Sequence, residues 1–189
     1  MRRGPFVYWF WGVLTAVIVG LLGGAIMVQS GSYDVAATNK DPKIVDVILG
    51  HASDRSAESH SRDVQVPGDL GADSMSLLVG AAHYEGNCAQ CHGSPAHDRG
   101  DVGQGLNPEP PHIKDAAQDP GNKQTFWVAK HGIKMTGMPA FGPTHDDSTL
   151  WDIVAFMDHF PHMTAGQYEA WVAAAKAAGI RGDGDEGDR

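Results

Sequence analysis

The stretch Cys88-Ala89-Gln90-Cys91-His92 contains both cysteines of this 189-residue chain. The spacing C-x-x-C-H is the attachment signature of covalently bound c-type haem. Cysteines at positions i and i+3 lie on the same side of a helical turn, so both thiols can reach the two vinyl groups on one haem edge. His92 then lies beside the porphyrin plane and can ligate the iron. The stretch therefore predicts one covalent haem c, held by Cys88, Cys91 and the proximal ligand His92.

Two other kinds of site share part of this pattern. A redox-active C-x-x-C belongs in a βαβ context, and a zinc site requires a second pair of ligands at metal spacing. The sequence around Cys88 and Cys91 shows neither feature, which favours haem attachment.

A second motif, Thr136-Gly137-Met138-Pro139-Ala140-Phe141-Gly142, lies downstream. A soft, uncharged thioether stabilises ferrous iron, so Met138 is the predicted axial ligand on the opposite haem face. Pro139 favours an extended backbone at Met138, and the flanking glycines allow a tight loop over a flat cofactor. Met135 is the competing thioether. Five histidines could in principle replace Met138 as the second axial ligand, although none lies in a comparable motif: His83, His97, His112, His131 and His145.

Over residues 72–163 the chain resembles the class I (mitochondrial-type) cytochrome c family, and in particular its bacterial membrane-anchored monohaem members. Gly80 and Tyr84 precede Cys88 by eight and four residues, as in the first helix of that family. Residues 150–157 are similar to its last helix, whose Phe156 would cross the first helix at Gly80. The resemblance implies an all-α cytochrome c fold with three to four helices around one covalent haem. We place these helices near 74–87, 122–131 and 146–158.

An uncharged run of 23 residues, 6–28, precedes this domain and is long enough to cross a bilayer. The sequence therefore predicts an N-terminal transmembrane helix within segment 1–29. Tyr8, Trp9 and Trp11 would lie at the interface, and the pair Arg2-Arg3 would keep the N-terminus in the cytoplasm. A cleaved signal peptide is the alternative, although no convincing small-x-small cleavage site follows the run.

Three further segments lie between the anchor and the haem domain or follow the haem domain. Residues 30–71 are expected to form a linker that contains a short amphipathic helix over about 42–54. Asp41 would be the N-cap of this helix and Pro42 its first residue, and Ile44, Val47 and Ile48 would pack on the haem domain. Residues 164–180 form a C-terminal helix with a capping box from Thr164 and Gln167. The glycine-rich, acidic tail 181–189 is expected to be disordered.

Charge limits the partners of the exported part. Without Arg2 and Arg3 it carries 12 basic against 23 acidic residues, which argues against binding to nucleic acid or to anionic lipid surfaces. Lys123, Lys130 and Lys134 recur on one predicted helix face just before Met138. They are either a docking site for an anionic redox partner or a solvated helix face.

These features predict a one-electron carrier anchored in the bacterial cytoplasmic (inner) membrane by a single span, with its haem domain on the periplasmic side. It would shuttle electrons between a donor and an acceptor protein. The chain lacks an acid–base constellation and is not expected to be an enzyme by itself. A fixed cytochrome subunit of a membrane-bound oxidoreductase complex is the alternative, favoured weakly by Gly20, Gly23 and Gly24 on the anchor. A haem-based gas sensor is a third reading, for which the chain shows no signalling domain.

Overall fold

The computed structural model describes residues 5–113 and 122–182, and within these ranges the chain contains helices and irregular segments but no strand. The helices are α1 (Pro5–Ser30), α2 (Lys43–Ser61), α3 (Ser74–Asn87), α4 (Ala89–His92), α5 (Asp101–Gln104), α6 (Asn122–His131), α7 (Asp147–Met157) and α8 (Ala165–Ala177), with a 3₁₀ turn at Phe160–His162. This confirms the predicted all-α fold class with one apolar N-terminal helix. The chain divides into two compact units, Met1–Asn39 and Lys40–Arg189.

The first unit is built on α1. Its segment Phe6–Gln29 has a mean hydropathy of 2.2 over its most apolar window, and none of that window is buried within the protein. At 1.5 Å per residue, 24 residues span about 36 Å, enough to cross a hydrocarbon core. The helix is therefore compatible with a single-pass membrane anchor. Arg2 and Arg3 lie outside the described residues.

The core of the second unit is aromatic. Four aromatic side chains are almost fully buried: Tyr84 on α3, Phe156 on α7, Phe160 in the 3₁₀ turn and Tyr168 on α8. The Tyr84 and Phe160 rings meet edge to face with their centroids 4.8 Å apart, a favourable arrangement for aromatic pairs. Tyr168 and the partly buried Trp171 pack α8 against the domain, with Trp171 close to Phe156.

The crossing of α3 and α7 depends on Gly80. A Cβ atom at this position would lie 2.9 Å from the Phe156 Cβ and would collide with the Asp152 carbonyl. Only a residue without a side chain allows the two backbones to approach this closely. The predicted contact between Gly80 and Phe156 is confirmed.

Polar side chains cap the N-termini of three helices in this unit. The Asp73 and Asp146 carboxylates accept hydrogen bonds from the Met75 and Thr149 amides at the starts of α3 and α7. Thr164 forms the predicted capping box with Gln167 at the start of α8. The structure describes the C-terminal tail only as far as residue 182, so the expectation of disorder over 181–189 falls mainly outside the described residues.

The predicted end of the amphipathic helix near residue 54 is wrong, because α2 continues to Ser61. Its predicted start is also off by one residue, since Pro42 and not Asp41 is the N-cap. The polar residues beyond 54 look like a linker, but many are good helix formers. Glu58 forms ion pairs with Arg55 one turn earlier and with Arg62 one turn later. Local ion pairs and packing therefore extend the helix through a segment with few apolar residues.

The surface through which α2 packs also differs from the prediction. Ala57 and Ser61 are buried, and their small size allows the C-terminal half of α2 to approach α6 closely. The His60 ring stacks on Trp127 of α6 at 5.4 Å, and Lys123 donates a hydrogen bond to the Arg62 carbonyl. Ile44, Val47 and Ile48, which were expected to make this contact, remain exposed. Residues 55–61 therefore belong to an ordered helix and not to a flexible linker.

Candidate haem site

The C-x-x-C-H sequence forms a single helical turn. The amides of Cys91 and His92 both donate to the Cys88 carbonyl, at 3.1 and 3.0 Å. The Cys88 amide in turn donates to the Tyr84 carbonyl at the end of α3. The Tyr84 hydroxyl donates to the Gly93 carbonyl at 2.6 Å and so ties the end of the turn back to the core. The turn is therefore held at both ends by α3.

The two cysteines are not joined by a disulfide. Burial raises the pKa of the Cys88 thiol to about 12, and the neighbouring Cys91 adds to this effect. Burial also raises the pKa of Cys91. Catalytic and redox C-x-x-C sites need a cysteine with a lowered pKa, because the thiolate is the nucleophile. The environment of Cys88 and Cys91 therefore does not favour thiol–disulfide chemistry.

His92 is oriented by a backbone carbonyl. Its Nδ1 lies 3.0 Å from the Pro111 oxygen. Because a carbonyl can only accept, Nδ1 must carry the proton, which leaves the Nε2 lone pair free to bind a metal. Burial lowers the pKa of His92, and the hydrogen bond to Pro111 partly offsets this. The neutral imidazole that a metal requires is thus favoured at neutral pH.

The segment that carries Pro111 is itself fixed. Arg99 donates to the Pro110 carbonyl at 2.8 Å and forms an ion pair with Glu109 at 2.6 Å. Neither Pro111 nor Arg99 could be assigned this role from the sequence, because a backbone acceptor leaves no side-chain pattern. The only visible signal is the Pro110-Pro111 pair, which restricts the backbone near the histidine.

The short helix α5 and the residues after it contact both motifs. A Cβ at Gly103 would lie 2.6 Å from the Cys91 carbonyl oxygen, so α5 packs directly on the C-x-x-C-H turn. Leu106 packs against Gly137, next to Met138, where a Cβ would lie 2.7 Å from the Leu106 Cδ1. One segment, 101–106, therefore connects the cysteine turn to the methionine loop.

The loop around Met138 is fixed by backbone hydrogen bonds. The Met138 amide donates to the Thr136 hydroxyl at 3.1 Å, and the Ile133 amide donates to the Met138 carbonyl at 3.2 Å. Gly132 adopts a positive φ of 64°, and a Cβ there would lie 2.7 Å from the Pro139 carbonyl carbon. Met138 is partly buried, whereas Met135 is 89% exposed. Of the two thioethers, Met138 is thus the one placed within the fold.

Four of the five competing histidines contact other rings. His83 and His145 meet with their centroids 5.1 Å apart, His131 packs on Trp127, and His97 packs on Tyr168. The fifth, His112, lies beside Gly93 and 3.7 Å from the Asp98 carboxylate. Residues 5–113 and 122–182 contain no group of three or more His, Cys, Asp or Glu side chains that could hold a metal ion. No zinc-type site accompanies Cys88 and Cys91 in this part of the chain.

The prediction that three lysines share one helix face is wrong, because α6 ends at His131 and Lys134 lies beyond it. Lys130 forms an ion pair with Asp147 at 2.6 Å, and Lys123 donates to the Arg62 carbonyl. Both therefore have structural partners, which favours the reading of a structural and solvated face over a dedicated docking site.

The donors present fit a covalently attached haem. Two protonated thiols lie on one helical turn, an imidazole offers a free Nε2, and a thioether stands on a separate, well-anchored loop. This combination of two attachment points and two axial donors is the set that a six-coordinate haem c requires.

Residues 76–157 match the family model described as cytochrome C oxidase, cbb3-type, subunit III. The match covers somewhat less than half of the chain and includes both motifs, whereas α1, α2 and α8 lie outside it. No curated protein and no solved structure shows significant similarity to the chain. The family match supports a c-type cytochrome domain over these residues, which implies haem c binding and electron transfer.

Proposed function

We propose that the chain is a membrane-anchored monohaem cytochrome c that passes one electron at a time from a donor protein to an acceptor protein. The observation that carries this proposal is the orientation of His92 by the Pro111 carbonyl, directly after the two free thiols of the C-x-x-C-H turn. A histidine whose tautomer is fixed, next to two thiols that could attach a haem, is suited to bind the haem iron through Nε2.

Each site residue has a distinct role in this proposal. Cys88 and Cys91 would hold the haem edge through thioether bonds, and His92 would bind the iron through Nε2. Met138 would supply the second ligand to the iron. When bound, the haem supplies an iron that alternates between the ferric and ferrous states.

The protein contributes rigidity and polarity to this exchange. Pro111 fixes the His92 ring, and Thr136 fixes the backbone of the Met138 loop. Ligands that are held in place change their positions little between the ferric and ferrous states. The reorganisation energy of electron transfer therefore stays small. The soft sulfur of Met138 favours the ferrous state and thus a higher reduction potential than two histidines would give.

In the same proposal, α1 stays in the mature protein and crosses the cytoplasmic membrane once, with the haem domain on the outer face. If so, the protein should sediment with membranes after a high-salt wash, because hydrophobic insertion is not screened by salt. A mature N-terminus between residues 29 and 38, or release by salt, would contradict this part of the proposal.

A fixed subunit of an oxidoreductase complex is the second candidate. Two observations favour it: the matched family model is named for a subunit of an oxidase, and α2 packs on the haem domain. With α2 folded, only residues 31–42 remain as a connection, whose flexible reach is about 20 Å. Such a short connection suits a fixed neighbour better than a wide-ranging shuttle.

Redox titration of the purified full-length protein tests electron transfer itself. We expect a reversible c-type spectrum that follows a one-electron Nernst curve. Absence of a reducible haem spectrum would contradict the proposal. Purification from native membranes in mild detergent then separates the two candidates, because a fixed subunit co-migrates in constant ratio with its complex whereas a shuttle migrates alone.

A further inference from the structure

The N-terminal half of α2 carries an exposed aliphatic surface. Ile44 is 64% exposed, Val47 66% and Ile48 58%. These residues stand at i, i+3 and i+4, so they share one face of the helix. Burial of α2 is confined to Ala57 and Ser61, two to four turns further along. We call the three exposed residues the α2 aliphatic face.

Acidic side chains do not interrupt this face. Asp46 stands two residues after Ile44 and therefore points to a different side of the helix. Asp54 lies seven residues beyond Val47, about 10 Å further along the axis. The surface formed by Ile44, Val47 and Ile48 is thus apolar. Helix α2 as a whole carries Lys43 and Arg55 against three acidic residues, so it has no excess of positive charge.

The size and position of the face indicate what covers it. Its aliphatic side chains offer at most a few hundred Å², well below the roughly 800 Å² per partner of a standard protein interface. A second copy of the chain is therefore poorly suited. Only 13 residues separate the end of α1 from Ile44, the first residue of the face, so a bilayer crossed by α1 is always within reach.

We propose that the α2 aliphatic face lies in the headgroup region of the bilayer, while the other end of α2 holds the haem domain. This inference rests on the membrane anchoring proposed above. A helix of 19 residues is about 28 Å long, so α2 acts as a strut that orients the haem domain relative to the membrane. Binding relies on aliphatic burial and therefore does not need anionic lipid.

Thiol accessibility in lipid vesicles tests this directly. The haem-loaded full-length protein is reconstituted into phosphatidylcholine vesicles as Ile48→Cys or as the matched control Asp46→Cys, which lies two residues away on another side of the same helix. Each is reacted with a membrane-impermeant maleimide, and its rate is divided by the rate in denaturant. We expect Ile48→Cys to react at least about tenfold more slowly than Asp46→Cys. Equal rates would overturn the proposal.

Other outcomes also decide the question. Protection of Ile48→Cys in native membranes but not in vesicles would replace the bilayer with a protein partner. Protection that grows with protein density in the vesicles would indicate a second copy. If salt washing releases the protein, the proposed anchoring fails as well. An anchored protein with equal thiol rates contradicts only the present inference.

A charge variant provides an independent readout. Linear dichroism of the haem in oriented bilayers should show a preferred haem tilt for the unchanged protein. The double variant Ile44→Glu and Ile48→Glu should lose at least half of the dichroic signal and still sediment with membranes. Val35→Glu, at an even more exposed position before α2, should keep the signal. A dichroic signal that the double variant retains in full would contradict a role for α2 in orientation.

Discussion

Single residues hold the two proposed axial ligands in different ways. His92 is oriented by the Pro111 carbonyl, and the backbone of Met138 is held by the Thr136 hydroxyl. Neither contact involves a charged partner. The two residues are therefore held by neutral hydrogen-bond partners.

The assignment of Met138 leads to a first prediction. Met138→Ala should abolish the weak ferric sulfur-to-iron absorption band at the red edge of the visible spectrum, lower the reduction potential and open the iron to carbon monoxide. Met135→Ala should leave all three properties unchanged, because Met135 is exposed to solvent. A bis-histidine spectrum of the unchanged protein, or a band that survives in Met138→Ala, would contradict the assignment.

Gly132 provides a second prediction about the same loop. A side chain there faces both a positive φ and a close contact with Pro139. Gly132→Ala should therefore lower stability by more than the about 1–2 kcal/mol of left-handed strain alone and weaken the sulfur-to-iron band. Gly179→Ala is the matched control, since Gly179 also has a positive φ but an open surrounding. Denaturant unfolding of both variants measures the difference, and equal losses with an intact band would refute the role of the contact.

At the scale of single residues, the sequence indicated the side chains of the proposed haem site better than the backbone groups that orient them. The C-x-x-C-H turn and Met138 stand out because their chemistry depends on residue type and spacing. The Pro111 carbonyl could not be predicted in the same way, because every residue has a carbonyl and only the fold decides which one meets His92. Met135 has a left-handed backbone, with φ 61°, and is exposed, and neither property could be predicted from the sequence.

Pairs of helices are fixed by small residues at their crossings. Gly80→Ala should disturb the α3–α7 crossing and destabilise the domain by about 1–3 kcal/mol, as overpacking of a core does. Gly50→Ala in α2 is the matched control, because nothing lies within 4 Å of its added Cβ. That control should be neutral or stabilise by about 0.5–1 kcal/mol. Thermal unfolding followed by circular dichroism tests both, and a Gly80→Ala variant as stable as the control would contradict the account.

The contact between α8 and α3 predicts a dependence on alkaline pH. The Tyr168 hydroxyl donates to Glu85 at 2.6 Å, and burial, with Glu85 nearby, raises the pKa of Tyr168. The folded state thus favours the neutral phenol. The stabilisation is complete below the unfolded pKa of about 10 and falls as the pH rises above it, because only the unfolded chain then ionises readily.

Tyr168→Phe should therefore cost about 1–2 kcal/mol at neutral pH and reduce the loss of stability above pH 10. Denaturant midpoints measured between pH 8 and 11 provide the test. The loss of stability that the variant still shows at alkaline pH would reflect ionisation of Tyr84, because burial also raises the pKa of Tyr84. Parallel curves for the two proteins would show that Tyr168 does not contribute.

Helix prediction succeeded where apolar spacing and capping residues agree, as in α3, α7 and α8. It failed over the second half of α2, whose composition is that of a linker. Tertiary packing decides that case: Ala57 and Ser61 are buried, and His60 stacks on Trp127. A polar segment with small residues one turn apart carries little hydrophobic signal, so its packing could not be predicted from the sequence.

At the scale of the whole molecule, the two units are suited to different functions. The apolar helix α1 is suited to anchoring, and the unit Lys40–Arg189 contains the cytochrome c domain. The sequence predicted this order of parts, but it overestimated the length of flexible chain between them. The remaining connection limits how far an electron carrier of this kind could swing between partners.

Covalent attachment of one haem is the central claim, and a haem stain after denaturing electrophoresis tests it most directly. The full-length protein, produced in a host with c-type haem maturation, should retain one haem per chain at its own mass, with the pyridine haemochrome spectrum of a haem whose two vinyl groups are saturated. Replacing both Cys88 and Cys91 by Ala should remove the stain. A haem that separates from the unchanged protein on denaturation, or a stain that survives the double replacement, would contradict the account.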